Sequence, residues 1–466
     1  MNKHVKNITI HFIAVFVWFG PLNSAWSAER PNILLVVADD LGWNDVGWHG
    51  SKFRTPVLDR LMREGVELDH HYVQPVCSPT RTALLSGRWT GRFGPHVLQP
   101  TNLRAFPPGT TTLASALQET GYATSMAGKW HLGSRPDWGP NHYGFEHSYG
   151  SLTGAIDPWT HLYRNGPWLR TWHRDGKIFD EEGNATELVA KDIVKRIKTL
   201  PEPWFVYVPF QAVHIPIDTP DVYKKPWADV TLDPDPVKNA SFRRMAAFVA
   251  QLDAKVGDFL DALDAKGSRE RTLIVFTSDN GGLTKGGNPY VGNVPPAPFL
   301  SSNAPLRGQK GELFEGGIRV PAFVHWKGTL TPRKVAAPLH AADWMPTLTH
   351  LVGWKPTPDV NFDGQDVWPL LTGAETNPEP RTIYIPLKKS WAVLRDGWKL
   401  LVFDQGPPGL DPTDRNLLFH LDADPTETTN LAPHEPDRVA SLRALLTELR
   451  RKDLDTLPSD LRGIPN

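Results

Sequence analysis

The chain of 466 residues carries 50 lysines and arginines against 51 aspartates and glutamates, a formal charge of −1, with 40 % hydrophobic residues, 22 % charged residues and a single cysteine, Cys77. That composition fits a soluble globular protein with a large core and excludes disorder, collagen-like repetition and a disulfide scaffold. The charge balance also argues against nucleic-acid binding through bulk charge, which needs a basic surplus over the phosphates.

Lys3 and Lys6 precede an apolar run from Ile8 to Leu22, interrupted by Thr9, His11 and Gly20-Pro21, and the small residues Ala25 and Ser27 follow at the positions a signal peptidase reads. This pattern predicts a signal peptide over residues 1–27. The run is too short and too broken to span a bilayer, and no later segment is apolar enough. The expected protein is therefore exported, periplasmic or extracellular (lysosomal in a eukaryote), without stable membrane insertion after cleavage. Losing residues 1–27 removes two lysines and no acid, leaving a formal charge of −3. Any anion site must then be built from locally clustered cations.

Beyond the signal, apolar β-type runs alternate with amphipathic stretches of helical length, the pattern of an α/β domain. Ile33 to Ala38 reads as a buried strand. Thr55-Pro56 opens a helix that Gly65 closes, and Val66 to Tyr72 reads as a strand. Thr112 to Glu119 is a short helix, Ala123 to Ala127 a strand, Ala185 to Leu200 a helix capped by Asn184, and Trp204 to Phe210 a strand. Phe242 to Ala265 is the clearest amphipathic helix, and the apolar strand Thr272 to Thr277 follows it. Gly281 to Pro305 is rich in Gly, Pro and Asn without periodicity, which in a compact domain marks a functional or mobile loop. Val320 to His325 is another strand and Trp344 to Val352 another helix. Pro and Asp cluster between Gly353 and Asp366, which sets a boundary between a larger domain, 28–360, and a C-terminal subdomain, 361–466. Short strands at Thr382 to Leu387, Ala392 to Arg395, Lys399 to Phe403 and Leu417 to Leu421, then a helix from Pro436 to Lys452, predict a small antiparallel sheet with one helix. Asn184 and Asn239 stand in glycosylation sequons, relevant only in a host that glycosylates.

Polar clusters recur just past the carboxyl ends of the predicted strands, where open α/β sheets bind ligands. Asp39-Asp40 follows the first strand, Lys129 and His131 the strand ending at Ala127, His214 the strand ending at Phe210, and Asp279-Asn280 the strand ending at Thr277. The acids and the amide offer only oxygens, which select a hard divalent cation such as Ca²⁺ or Mg²⁺. Lys129 and His131 are two apart, so an extended backbone would turn both toward one anion. Lys310 lies in Arg307-Gly308-Gln309-Lys310-Gly311. Cys77-Ser78-Pro79-Thr80-Arg81, with Gly87 beyond, reads as a helix start whose free N–H groups favour an anion beside Arg81; a buried structural thiol is the plainer alternative.

This Cys-x-Pro-x-Arg spacing, with Asp39 to Gly47, Val73-Gln74-Pro75, Gly128 to Gly133, Thr277 to Gly282, Asn303 to Gly317, His340 to Leu348 and Asp363 to Trp368, resembles the type I sulfatase family over nearly the whole mature chain. The likeness is greatest to the arylsulfatase B, or N-acetylgalactosamine-4-sulfatase, branch. The resemblance implies a large mixed, mainly parallel sheet sandwiched by helices, of the alkaline-phosphatase type, with a smaller C-terminal antiparallel sheet plus helix. It also implies that a formylglycine-generating or sulfatase-maturating enzyme oxidises Cys77 to Cα-formylglycine, and that Asp39, Asp40, Asp279, Asn280 and the modified residue 77 bind Ca²⁺. Arg81 would hold the hydrated aldehyde, Lys129 and Lys310 would clamp the sulfate, and a hydroxyl of residue 77 would attack sulfur. His214 with Lys310 would protonate or stabilise the leaving oxygen, and His131 would take the proton that expels sulfate. The implied substrates are sulfated carbohydrates or aryl sulfates. A phosphate or phosphonate ester hydrolase on the same frame and a non-catalytic sulfoglycan-binding protein are the two other readings. Trp138, Trp159, Trp168 and Trp172, between the motif segments, either stack on sugar rings or simply pack.

Overall fold

In the computed structural model, residues 30–98, 103–163, 169–285, 300–356, 360–406, 411 and 414–462 are described; the expected signal peptide and Trp168 lie outside them. Seven-residue apolar runs make two adjacent strands near the middle of the sheet, Asn32–Ala38 and Thr272–Ser278. Asn32–Ala38 is fully buried and pairs in parallel with both Thr272–Ser278 and Trp204–Pro209. Ala123–Lys129 extends the parallel set, followed by His147–Ser151. Antiparallel strands close both flanks, Trp172–Arg174 and Lys177–Ile178 on one side and Ala322–His325 on the other, before Val66–Leu68 and Arg333–Val335. The result is a ten-stranded mixed, mainly parallel sheet.

Alternation along each strand divides the core in two. Ile33, Leu35, Val37, Phe205 and Tyr207 pack toward helices Cys77–Ser86, Leu113–Glu119 and Trp344–Leu351. Leu34, Val36, Ala38, Val206 and Val208 pack toward Pro56–Glu64, Ala185–Thr199 and Pro236–Lys266. Strands Thr382–Leu387, Ser390–Arg395, Trp398–Phe403 and Asn416–His420 form the C-terminal antiparallel sheet, with helix Pro436–Arg450 behind it. One face of that sheet, through Tyr384, Val393 and Leu400, continues the first core; the other packs on Tyr72, Leu313, Phe314 and Ile318. It thereby touches the segment that carries Lys310. Among the described residues no helix is long and apolar enough to cross a membrane.

Several local expectations are corrected. The run Val66 to Tyr72 is two strands, because the chain leaves the large sheet at Asp69-His70 and His71–Tyr72 pairs with Leu339–His340 instead. The long helix starts at Pro236 rather than Phe242: Asp235 caps it, accepting from Val237 N and Lys238 N at 2.9 Å each, and its solvated first turns have no apolar period to read. The strand after Val320 begins at Ala322, past Pro321, which has no N–H for the ladder. Asn184 is buried and uses its side chain as a helix cap, 3.2 Å from Thr186 N, so its sequon is closed to a glycan.

Candidate active site

The carboxyl ends of four neighbouring strands converge as the sequence pattern requires, and short loop hydrogen bonds carry the ladder past the strand ends. Asp39 N donates to Ala212 O at 2.9 Å, Val213 N to Asp39 O at 2.7 Å and Asp279 N to Ala38 O at 3.0 Å. Asp40 then turns left-handed, with φ 60°, a conformation that aspartate tolerates better than most residues. Its Oδ1 accepts from Asn280 Nδ2 at 2.8 Å and from Lys310 Nζ at 2.5 Å. Lys129, the last residue of its strand, pairs with Asp39 Oδ2 with both side chains fully buried. Arg81 grips Asp279 Oδ2 through Nε at 3.0 Å and Nη2 at 2.6 Å, and donates from Nη1 to Lys129 O at 2.6 Å. Three carboxylates are thus matched by three cations.

Cys77 is the first residue of the helix Cys77–Ser86, buried throughout and closed by Gly87 at φ 68°. One ligand atom each from Asp39, Asp40, Cys77 and His214 falls within 4.8 Å of the others. Burial pushes the Cys77 thiol up to about 12, despite Lys129 and Lys310 nearby; the unmodified side chain is a neutral thiol and a poor nucleophile. Burial, together with the Asp279 charge, raises the Asp39 carboxyl to about 7 against Lys129 and Arg81. Burial acts the same way on Asp40, yet the Lys310 ammonium and the Asn280 hydrogen bond outweigh it and keep Asp40 ionised. Burial and the surrounding cations hold His131 and His214 well below the ordinary histidine range, as neutral imidazoles.

His214 Nε2 lies 3.7 Å from Asp40 Oδ2, while Nδ1 lies 2.5 Å from Ile215 O. His131 joins the cluster by a different route from the one the spacing implied. Its φ is 58°, so the backbone is not extended, and a left-handed turn rather than a two-residue repeat brings it round beside Lys129. Ser78 Oγ donates to His131 O at 2.9 Å, and the ring lies against Gly154, where a Cβ would come within 2.2 Å of Nε2. Gly154 carried no signal in the sequence. The supports of the Lys310 loop lie in matching stretches, but no role for them was read from the sequence: Asn303 brackets Gly282 with bonds of 2.9 Å to its N–H and its carbonyl, and Asp45 accepts from Gly42 N at 2.8 Å and Ser302 N at 2.9 Å. All ten residues singled out from the sequence therefore meet in one cluster. The tryptophans do not behave alike: Trp172 is buried, Trp138 half-buried and Trp159 exposed.

The family model described as Sulfatase matches residues 31–354. Arylsulfatase J of Mus musculus is 31 % identical over 94 % of this chain and 79 % of its own length. N-acetylgalactosamine-6-sulfatase of Canis lupus familiaris is 32 % identical over 78 % of this chain and 70 % of its own. Among solved structures, Ps i-CgsB in complex with k-i-k-neocarrahexaose superposes with a TM-score of 0.79 at 27 % identity, covering 92 % of this chain and 95 % of that one. The chain belongs to the sulfatase family and is a sulfuric ester hydrolase. The 4-sulfatase branch is not singled out by these names.

Proposed function

We propose that this sulfatase hydrolyses sulfate esters of carbohydrates, of the N-acetylgalactosamine sulfate kind or a related polysaccharide-derived sugar, using Ca²⁺ and a formylglycine made from Cys77 by a maturation enzyme, in an exported protein whose catalytic part is 28–360. The names of the relatives support the carbohydrate: one acts on N-acetylgalactosamine 6-sulfate by its name, and one is solved with k-i-k-neocarrahexaose.

The observation that carries the reading is a set of orphaned oxygens. Asp39 Oδ1, Asp40 Oδ2 and Asn280 Oδ1 are buried without a hydrogen-bond partner although donors crowd the cluster. Unsatisfied buried acceptors are costly, and a native fold retains them where something else satisfies them. Oxygen-only donors of this kind fit Ca²⁺, with Asp39, Asp40, Asp279, Asn280 and residue 77 as the ligand set. When present, Ca²⁺ supplies positive charge beside the sulfate, and hydrated formylglycine supplies a hydroxyl nucleophile in place of the neutral thiol. Arg81 fixes Asp279 and keeps further N–H groups for residue 77. Lys129 and Lys310 take the sulfate oxygens, where charge on the transferring group is met by fixed cations. Lys310 with His214 protonates or stabilises the leaving sugar oxygen, and His131, a neutral imidazole, accepts the proton whose loss releases sulfate.

The test is a comparison of initial rates on 4-nitrophenyl sulfate with those on the phosphate and phosphonate analogues. Dominant sulfate turnover is expected; dominant phosphonate turnover would move the chain to the rival chemistry, and binding without turnover by correctly modified protein would make it a sulfoglycan-binding protein.

A further inference from the structure

Trp159 is 40 % exposed, whereas every other tryptophan among the described residues is buried or half-buried. A single exposed hydrophobic side chain is ordinary; what sets Trp159 apart is the way it is held. Asp157 Oδ1 accepts from Trp159 N at 3.0 Å and from Thr160 N at 2.8 Å. His161, next in the loop, stacks on Trp172 at 4.2 Å between ring centres and lies 3.0 Å through Nε2 from Gly183 O. The indole Nε1–H donates to Asp218 Oδ2 at 3.0 Å.

The anchors join two loops that each lead to a histidine of the site. Trp159 follows Gly154, which cradles His131, by five residues in the same loop. Asp218 follows His214 by four, and Pro158 lines a small cavity with His214 and Ile215. The indole thus stands where the loop that cradles His131 meets the loop that bears His214, its Nε1 occupied and two-fifths of the residue exposed. Lys224, 2.7 Å from Asp218 Oδ1, adds a cation to the same rim.

We propose that Trp159 is a subsite for a pyranose ring of the substrate, the sugar lying with a C–H face on the indole while its sulfate reaches residue 77. This rests on the carbohydrate-sulfatase reading above. A rigid aromatic face binds a sugar at little entropic cost, because only two side-chain torsions are involved and both are already fixed. Trp159 is a binding and positioning residue: it touches the sugar and leaves the sulfur chemistry to the cluster.

The experiment uses the mature, modified enzyme with N-acetylgalactosamine 4-sulfate and 6-sulfate, and with inorganic sulfate as a competitive inhibitor that fills the sulfate pocket alone. Trp159→Ala is expected to raise KM for the hydrolysed sugar about three- to tenfold, in line with one lost aromatic contact. The effect falls on KM rather than kcat, the inhibition constant for inorganic sulfate stays the same, and Trp159→Phe recovers part of the loss. An unchanged KM, or a parallel loss of sulfate binding and kcat, would overturn the subsite. Wild-type enzyme that hydrolyses 4-nitrophenyl sulfate but neither sugar would also overturn it and leave the sulfate-ester chemistry standing; failure on all sulfates would overturn that chemistry first.

Discussion

Two clusters of buried charge sit a short distance apart along one segment of this chain. At the strand ends, Asp39, Asp40 and Asp279 meet Arg81, Lys129 and Lys310. Five residues beyond Lys310, Glu315 meets Lys399 and Glu427 across the junction with the C-terminal sheet. In the second cluster every carboxylate oxygen has a donor or a cation within 3.1 Å: Lys399 Nζ lies 2.9 Å from Glu315 Oε1 and 2.8 Å from Glu427 Oε1, whose contact there is the ion pair alone, Tyr72 Oη donates to Glu315 Oε2 at 3.1 Å, and Glu315 N to Glu427 Oε2 at 2.6 Å. In the first, two carboxylate oxygens, Asp39 Oδ1 and Asp40 Oδ2, and the amide oxygen of the neighbouring Asn280 have no such partner. A closed network of buried charge specifies how two parts of a fold meet, whereas an open one is the arrangement a ligand completes. Composition alone would not separate them, since both are buried, ionic and near neutral in sum.

The sharpest way to break the contrast is to remove the side chain proposed to become the nucleophile. Cys77→Ala should lower sulfate-ester turnover by at least about 10⁴-fold, because the covalent route disappears while the cations remain. Circular dichroism should be unchanged, and mass spectrometry of the wild-type peptide spanning residue 77 should show the aldehyde. Retained activity would mean that the open cluster is not organised around residue 77.

A smaller loss is expected from Asp40→Asn, which keeps the shape and the pairing to Asn280 but removes one charge. Turnover should fall by about 10²- to 10³-fold. The direct readout is thermal: after chelation, adding Ca²⁺ to wild type should raise the melting temperature, by the equivalent of about 2.7 kcal/mol at a hundred times the dissociation constant. The variant should lose most of that response. An undiminished Ca²⁺ shift would place the cation elsewhere.

How much of this was legible follows the same division. Asp39-Asp40, Asp279-Asn280, Lys129 and His214 could be read because each follows a short apolar run by a few residues, and the open-sheet rule places such positions together without knowledge of the strand order. The strand order itself, the antiparallel direction of Ala322–His325 and the strand His147–Ser151 were not legible. His147–Ser151 is Ser- and Gly-containing, and Gly150 is there for close approach, a Cβ coming within 2.2 Å of Gly128 O. The turn at His131 was misjudged because φ is not encoded in spacing. The closed cluster could not be assembled from the sequence: Lys399 looks like an ordinary strand lysine, Glu427 like a loop acid, and their partner Glu315, in a matching stretch, is 84 and 112 residues away. Local patterns report which groups arrive at the sheet end; which cation meets which acid is settled by packing.

Lys399→Met tests the other half of the contrast and should have the smallest effect on catalysis. Taking the ammonium away leaves Glu315 and Glu427 buried together, and breaking a buried pair from one side costs about 3–5 kcal/mol. Burial, with Glu315 adding to it and Lys399 opposing it, already raises the Glu427 carboxyl from 4.5 to about 7. An acid whose pKa is higher in the folded state holds a proton that the unfolded chain has released, so its contribution to stability falls as pH rises from about 4.5 toward 7. Without Lys399 that pKa rises further, and the stability deficit of the variant should be smaller at pH 5.5 than at pH 8. Denaturant or thermal unfolding at the two pH values reads this directly. On enzyme that remains folded, kcat for 4-nitrophenyl sulfate should stay within about twofold of wild type, because the lost interaction secures a junction and touches no reacting atom. A variant with unchanged stability and a collapsed kcat would show that the Lys399 cluster works through Lys310, and that closure of a buried network is no guide to its role in this fold.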